Sequence, residues 1–223
     1  MTSVETTSYN RFSGLSVERI QALSDGVFAV AMTLLVLDLR VPAEIGNSDG
    51  HLWRALQHLE ARFAAYLLSF TMLGTFWLAQ HTLLSLCARG NRTLTWLQLG
   101  FLFVVTLLPF SASLLAEFAA IRLAVAAYWL NILLLGVCLA LTCRYLPRGG
   151  LIDPGRLGRL TQFRRRIAVA QTGYAAAALL CIANTYASVA ALAVVELYFI
   201  VSPRMPLLDR VRRRSGAQPR RLR

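Results

Sequence analysis

Laid out as apolar and polar positions, the chain falls into long apolar runs separated by short polar stretches. The runs cover about 18–39, 63–86, 94–116, 122–143, 167–184 and 187–203, and each is nearly continuous in Leu, Val, Ala, Phe and Ile. A helix that crosses a bilayer needs about 20 such residues in a row. The strands of a membrane barrel alternate apolar with polar positions, and these runs do not. The pattern therefore predicts an all-α integral membrane protein with six transmembrane helices. Arg40 and Pro42 close the first run, Pro109 is placed to kink the third, and Pro147, Gly149, Gly150, Pro154 and Gly155 mark a loop after the fourth. A tight turn around Asn184 separates the last two. Residues 51–62 mix Leu52, Trp53, Leu56 and Leu59 with Arg54, His58 and Glu60, the pattern of an interfacial helix or of the outer end of the second span. The expected organisation is an N-terminal segment over 1–17, a six-helix membrane domain over 18–203 and a basic tail over 204–223. The first run follows a polar stretch and has no small-residue cleavage site behind it, so it reads as a span and not a signal peptide.

Composition narrows the class. Of 223 residues, 57% are hydrophobic and 15% charged, too few polar groups to cover a soluble domain of this length. The net charge of +12 comes from 23 basic residues, every one of them Arg. These lie between apolar runs and not on a nucleic-acid-reading domain, so the partner they imply is membrane lipid and not nucleic acid. With the N-terminus in the cytoplasm, 19 of the 23 fall on the inner side, leaving Arg40, Arg54, Arg62 and Arg122 outside. That asymmetry predicts a multi-pass cell-membrane protein with both termini cytoplasmic. Asn91-Arg92-Thr93 matches a glycosylation acceptor, but it falls on the cytoplasmic side. The tail's arginines read as an orientation and headgroup element, each worth about 1 kcal/mol near an anionic surface. Cys87, Cys138, Cys143 and Cys181 lie in or beside the runs without metal-ligand spacing, so no metal site and no disulfide framework is expected.

The first run, "ALSDGVFAVAMTLLVLDL", carries a carboxylate where lipid-length helices rarely tolerate one. Such a charge costs several kcal/mol unless it is paired or wetted. At 100° per residue, Leu23, Gly26, Val30, Thr33 and Leu37 fall on one face, a seam with one small residue and one hydroxyl. Ordinary helix packing also produces such a seam. Ser24 and Asp25 point 120–140° away from Val30 on the same geometry. A helix N-cap is one account of them, weakened because Glu18 and Arg19 already read as helical. A buried polar anchor is the better account. On the second span, Trp77 and His81 are four apart and share a face, offering an indole N–H and an imidazole at similar depth.

"RIQALSDGVFAVAMTLLVLDLRVP" resembles the first helix of the transmembrane protein 175 family of potassium channels. Of that family's Arg-x-x-x-Phe-Ser-Asp signature, Arg19, Ser24 and Asp25 match, with Leu23 in place of Phe. The second span is similar to the family's Trp-x-x-His-His pattern through Trp77 and His81, with Gln80 replacing the first His. "RTLTWLQLGFLFVVTLLPFSASLLAEF" resembles its third helix, Leu-Pro-Phe at 108–110 included. The likeness covers about the first 120 residues. It implies a single six-helix repeat assembling as a homotetramer, with the pore lined by the first helix of each subunit and K+ as the permeant ion. No Thr-Val-Gly-Tyr-Gly filter segment is present. By position after Asp25, the resemblance puts a hydrophobic constriction at Val30, a filter threonine at Thr33 and a further constriction at Leu37. Ser24 and Asp25 would then fasten that helix to its neighbours, with Arg19, Trp77 and His81 as partners.

Three other readings compete. Asp25, His81 and Glu196 are intramembrane ionisable groups, and such groups also mark proton-coupled transporters and proton-permeable channels. Carriers more often show internal repeats with broken helices. An enzyme is not expected, since no nucleophile–base pair, metal-ligand motif or Gly-rich phosphate loop appears, and no cofactor is implied. A non-conducting scaffold is set aside only by the resemblance.

Overall fold

A computed structural model of the chain describes residues 16–40, 48–57 and 59–201. The expected N-terminal segment up to residue 15, Pro42, His58 and the basic tail over 204–223 lie outside these.

The first apolar run folds as α1, Val17–Leu35, and tightens into a 3-10 turn over Val36–Asp38. Ser16 caps it, its side chain accepting from the Arg19 backbone N–H at 3.4 Å. The helix thus starts two turns before Asp25, and Ser24 and Asp25 are interior residues rather than caps. The mixed segment at 51–62 divides. Asp49–Gln57 forms a separate helix, α2, with Leu52, Trp53 and Leu56 exposed, and Glu60 already belongs to α3, Glu60–Ser85.

The third run is two helices end to end, α4 (Arg92–Thr106) and α5 (Leu108–Glu117). Proline lacks an N–H and its ring crowds the carbonyl four residues back, so α4 stops ahead of Pro109, which sits in the first turn of α5. α6 runs over Arg122–Arg148, past the expected end at 143, and takes in Pro147. It closes at Gly150, whose φ of 61° lies in the left-handed region that only glycine enters freely. After it come α7, Leu157–Leu179, and α8, Thr185–Val201.

Among the described residues, four stretches are long and apolar enough to cross a membrane: Val17–Asp38, Glu60–Ser85, Arg92–Glu117 and Arg122–Arg148. The last two expected spans are built differently. α7 begins ten residues earlier than expected and carries Arg159 and Arg164 to Arg166 in its first half, while α8 is a shorter apolar helix of 17 residues. Hydropathy marks where lipid begins, whereas arginine is a good helix former, so the helix continues past the apolar boundary.

α1 packs on α3, α4 and α5; α6 packs on α4, α5 and α7; α8 lies against α7 and α3. The shared core includes Phe28, Met72, Leu73, Phe101, Leu108 and Tyr128. α6 and α7 approach closely at Gly136, where a Cβ would come within 1.9 Å of the Gln171 amide nitrogen. The missing side chain lets Gln171 cross and donate to the Ile132 carbonyl at 3.2 Å. At one end of the bundle the α3–α4 turn pairs with the α6–α7 loop, Ala88 N–H donating to the Leu151 carbonyl at 2.8 Å. There Arg156 donates to the Ser85 carbonyl at 3.0 Å, capping α3.

Candidate pore helix and its polar anchor

α1 has two unlike faces. Ile20, Ser24, Phe28, Ala31 and Leu35 form the inner one, each 2% exposed. Leu23, Gly26, Val30, Thr33 and Leu37 lie about 140° round the helix from the inner set, and all five are exposed, Val30 at 57% and Leu37 at 58%. A Cβ at Gly26 would meet nothing within 4 Å. The chain's own core therefore makes no use of this apolar stripe. The Thr33 hydroxyl donates to the Val30 carbonyl at 2.8 Å. That fixes its proton against the backbone and leaves its oxygen lone pairs for other partners.

The expected anchor splits into two contacts. Ser24 is buried; its hydroxyl donates to the Ile20 carbonyl at 2.8 Å and accepts from the Gln80 amide at 2.9 Å. Gln80 also donates to Gln98 Oε1 at 2.8 Å, Gln98 to Thr142 Oγ1 at 3.2 Å, and Thr142 to the Cys138 carbonyl at 3.0 Å. A line of buried hydrogen bonds thus joins α1, α3, α4 and α6. Interhelical bonds of this kind average about 0.6 kcal/mol in a membrane and reach about 1.7. Asp25 stays exposed at the edge of α1 and takes one partner, the Trp77 indole, whose Nε1–H donates to Oδ1 at 2.7 Å. Trp77 in turn stacks on His81, ring centroids 5.9 Å apart.

Two expected partners are placed otherwise. Arg19 is exposed, and its contact is the Ser16 cap on its backbone; at six residues' distance its side chain leaves α1 on another face than Asp25. His81 is exposed and reaches Asp25 only through the Trp77 ring. Ser24's partner is Gln80, the residue that replaces the first His of the Trp-x-x-His-His pattern. Gln98 and Thr142 were not among the expected residues. Their signal was present, as solitary polar side chains inside apolar runs, which must find a partner within the protein.

Asp25 and Trp77 also close one end of a groove of about 540 Å³ between α1 and α3. Phe28, Met32, Gly74 and Ile200 contribute to its mostly apolar wall. Chemically the arrangement holds one helix firmly on its inner side and leaves its outer side unpartnered. No single copy of this seam encloses a path.

Comparison with known proteins places the chain among membrane channels. The sequence profile of the family described as endosomal/lysosomal potassium channel TMEM175 matches residues 19–109. A potassium channel of Streptomyces collinus is 35% identical over 189 residues, covering 81% of this chain and 90% of that one. The endosomal/lysosomal proton channel TMEM175 of Gallus gallus is 35% identical over 123 residues, 52% of this chain and 25% of that protein. Among solved structures, the crystal structure of a lysosomal potassium-selective channel TMEM175 homolog from Chamaesiphon minutus aligns with a TM-score of 0.73 and 27% identity. It covers 85% of this chain and 98% of its own.

Proposed function

The chain belongs to the TMEM175 family and is a potassium channel and not an enzyme; on that premise we propose that it conducts through a pore walled by the exposed seam of α1, repeated around an axis by four copies. The observation that carries this reading is that seam itself: five residues at pore-helix spacing stay uncovered in a chain whose inner core is complete. Closed point-group symmetry is the usual form of such assemblies. Six spans per subunit, over 18–203, then include α8 and the apolar half of α7. The cytoplasmic placement of both termini rests on the arginine asymmetry.

In this reading Val30 and Leu37 form two apolar collars about 10 Å apart along the helix. A dry collar admits the ion that gives up hydration more easily, which favours potassium over sodium. The Thr33 ring lies between them and offers hydroxyl oxygen to a partly stripped cation. Ser24, through Gln80, and Asp25, through Trp77, hold the helix so that these side chains face the axis.

The deciding experiment is a planar-bilayer recording of the purified protein with potassium on one side and sodium on the other, beside cross-linking in lipid nanodiscs. A reversal potential set by potassium and a cross-linking ladder ending at four are expected. Conduction by a species that cross-links only as a monomer overturns the reading. The two membrane-depth carboxylates, Asp25 and Glu196, favour a second reading as a proton-permeable channel or proton-coupled transporter. A current whose reversal follows an imposed pH gradient and not the potassium gradient selects it.

A further inference from the structure

Glu196 is 1% exposed, in the middle of an apolar helix, and the pore reading gives it no task. Its two carboxylate oxygens are both engaged. Oε1 accepts from the Thr75 hydroxyl of α3 at 2.5 Å, and Oε2 accepts from the buried Tyr174 hydroxyl of α7. Both partners are neutral hydroxyls, and no cationic side chain among the described residues is seen to pair with Glu196. A carboxylate is a costly way to fill space at this depth, where a leucine packs as well without desolvation. What it supplies is a pair of directional acceptors that hold two hydroxyls from two helices at once.

One of those helices is α3. Thr75 and Trp77 are two residues apart, hence about 200° apart around it. Glu196 therefore grips α3 on one side while Trp77 grips Asp25 of α1 on the opposite side. A helix held only by apolar side chains can rotate or slide at small cost, because lipid tails and leucines are equally apolar. The buried line at Gln80 already ties one side of α3 to α1 and α4, and the Thr75 bond on its other side removes the freedom that remains. We propose that Glu196 is a positioning residue for conduction: bound to Thr75 and Tyr174, it fixes the rotation of α3, and through Trp77 and Asp25 the rotation of the α1 seam. The inference rests on the reading that α1 lines the pore.

Single-channel recording of the full chain in lipid bilayers tests it, because it separates how often the pore is open from how it conducts when open. Glu196→Gln and Thr75→Val should each lower open probability severalfold while leaving unitary conductance and the potassium–sodium reversal potential at wild-type values. Thr75→Ser, which keeps the hydroxyl, should restore wild-type open probability; a merely space-filling role would not distinguish Ser from Val in this way. Glu196→Gln combined with Asp25→Asn should lower open probability no further than the stronger single variant. Should Glu196→Gln fail to assemble, Thr75→Val decides alone, since it removes one hydroxyl at nearly constant volume. Wild-type open probability in Thr75→Val, or equal behaviour of Thr75→Ser and Thr75→Val, overturns the proposal, as does a changed unitary conductance in either variant. Val30→Asn separates the two levels. Unchanged conductance there removes the seam reading, whereas changed conductance there with unchanged open probability in Thr75→Val removes only the role of Glu196.

Discussion

The two faces of α1 are built from nearly the same residue types and do opposite things. Each has one hydroxyl among apolar side chains, Ser24 on the inner face and Thr33 on the outer. Ser24 accepts from Gln80 and is 2% exposed; Thr33 donates to its own helix at Val30 and takes no partner from another helix among the described residues. Composition along the helix does not separate the faces. Partners do, and they come from α3. The lesson is that in a membrane helix, where apolar burial gives little preference for protein over lipid, a few polar contacts decide which side turns inward.

The comparison breaks most completely if the inner face loses its partner. Gln80→Leu removes both the bond to Ser24 and the bond to Gln98, leaving the buried Gln98 Oε1 without a donor. An unsatisfied buried group costs about 1–3 kcal/mol, a large share of the roughly 5–15 kcal/mol that holds a domain together. The expected outcome is loss of most of the assembled channel in size-exclusion chromatography after a mild heat step. Asp25→Ala removes one contact at an exposed edge and should cost less, with ion preference unchanged in the current that survives. If Gln80→Leu assembles and survives heating as the parent does, the buried line does not hold α1.

On the proposed reading, changes to the exposed outer face alter conduction and leave assembly intact. Val30→Asn places a polar ring in the first collar and should wet it, raising current and moving the bi-ionic reversal potential toward equal permeability. Leu37→Asn should do the same at the second collar to a smaller degree, since Leu37 lies in the short 3-10 turn beyond the end of α1. Leu141→Asn, on the exposed face of α6, is the control and should leave the reversal potential alone. Thr33→Val is gentler. Losing one hydroxyl oxygen beside a partly stripped ion is worth about 1 kcal/mol, roughly a fivefold change in the potassium-to-sodium permeability ratio. If Val30→Asn and Thr33→Val both reverse at the wild-type potential, or if Leu141→Asn shifts it as far, the seam is not the ion path.

The N-terminal half of this arrangement was legible because its signals are local. A polar pair in an apolar run flags Ser24 and Asp25, and a spacing of four puts Trp77 and His81 on one face. Pro109 announces the break that the structure places at Leu107. Contacts between distant segments left no such trace. Gln98 meets Thr142 across 44 positions, and Thr75 meets Glu196 across 121. Periodicity describes a helix's own faces and is silent about which neighbour they meet. Arg19 shows the converse error, since a residue near in sequence and matched in charge leaves the helix on the wrong side to reach Asp25. The start of α7 at Leu157 was hidden for another reason: its arginine-rich turns are helical without being apolar.

The least perturbing test reads the two faces directly. Single cysteines at Leu23 and Leu37 on the seam, and at Ala31 and Leu35 on the inner face, should react differently with a water-soluble methanethiosulfonate added during recording. The seam positions are expected to react within the experiment and reduce the current, since Leu23 and Leu37 lie toward the two ends of the proposed path, where reagent enters from water. The inner positions, 2% exposed, should stay silent. Just past the end of α3 the native background permits this, because burial pushes the Cys87 thiol up to about 12 against the opposing pull of Arg156. Only the thiolate attacks the reagent, so at neutral pH Cys87 is close to inert. The sign follows for stability as well. The unfolded chain ionises this thiol near its ordinary value of 9.0 and the folded chain near 12, so its contribution is complete below pH 9 and declines as pH rises toward 12. Modification of Ala31→Cys as fast as Leu37→Cys would show that both faces see water, and the division of α1 into a held side and a conducting side would fail.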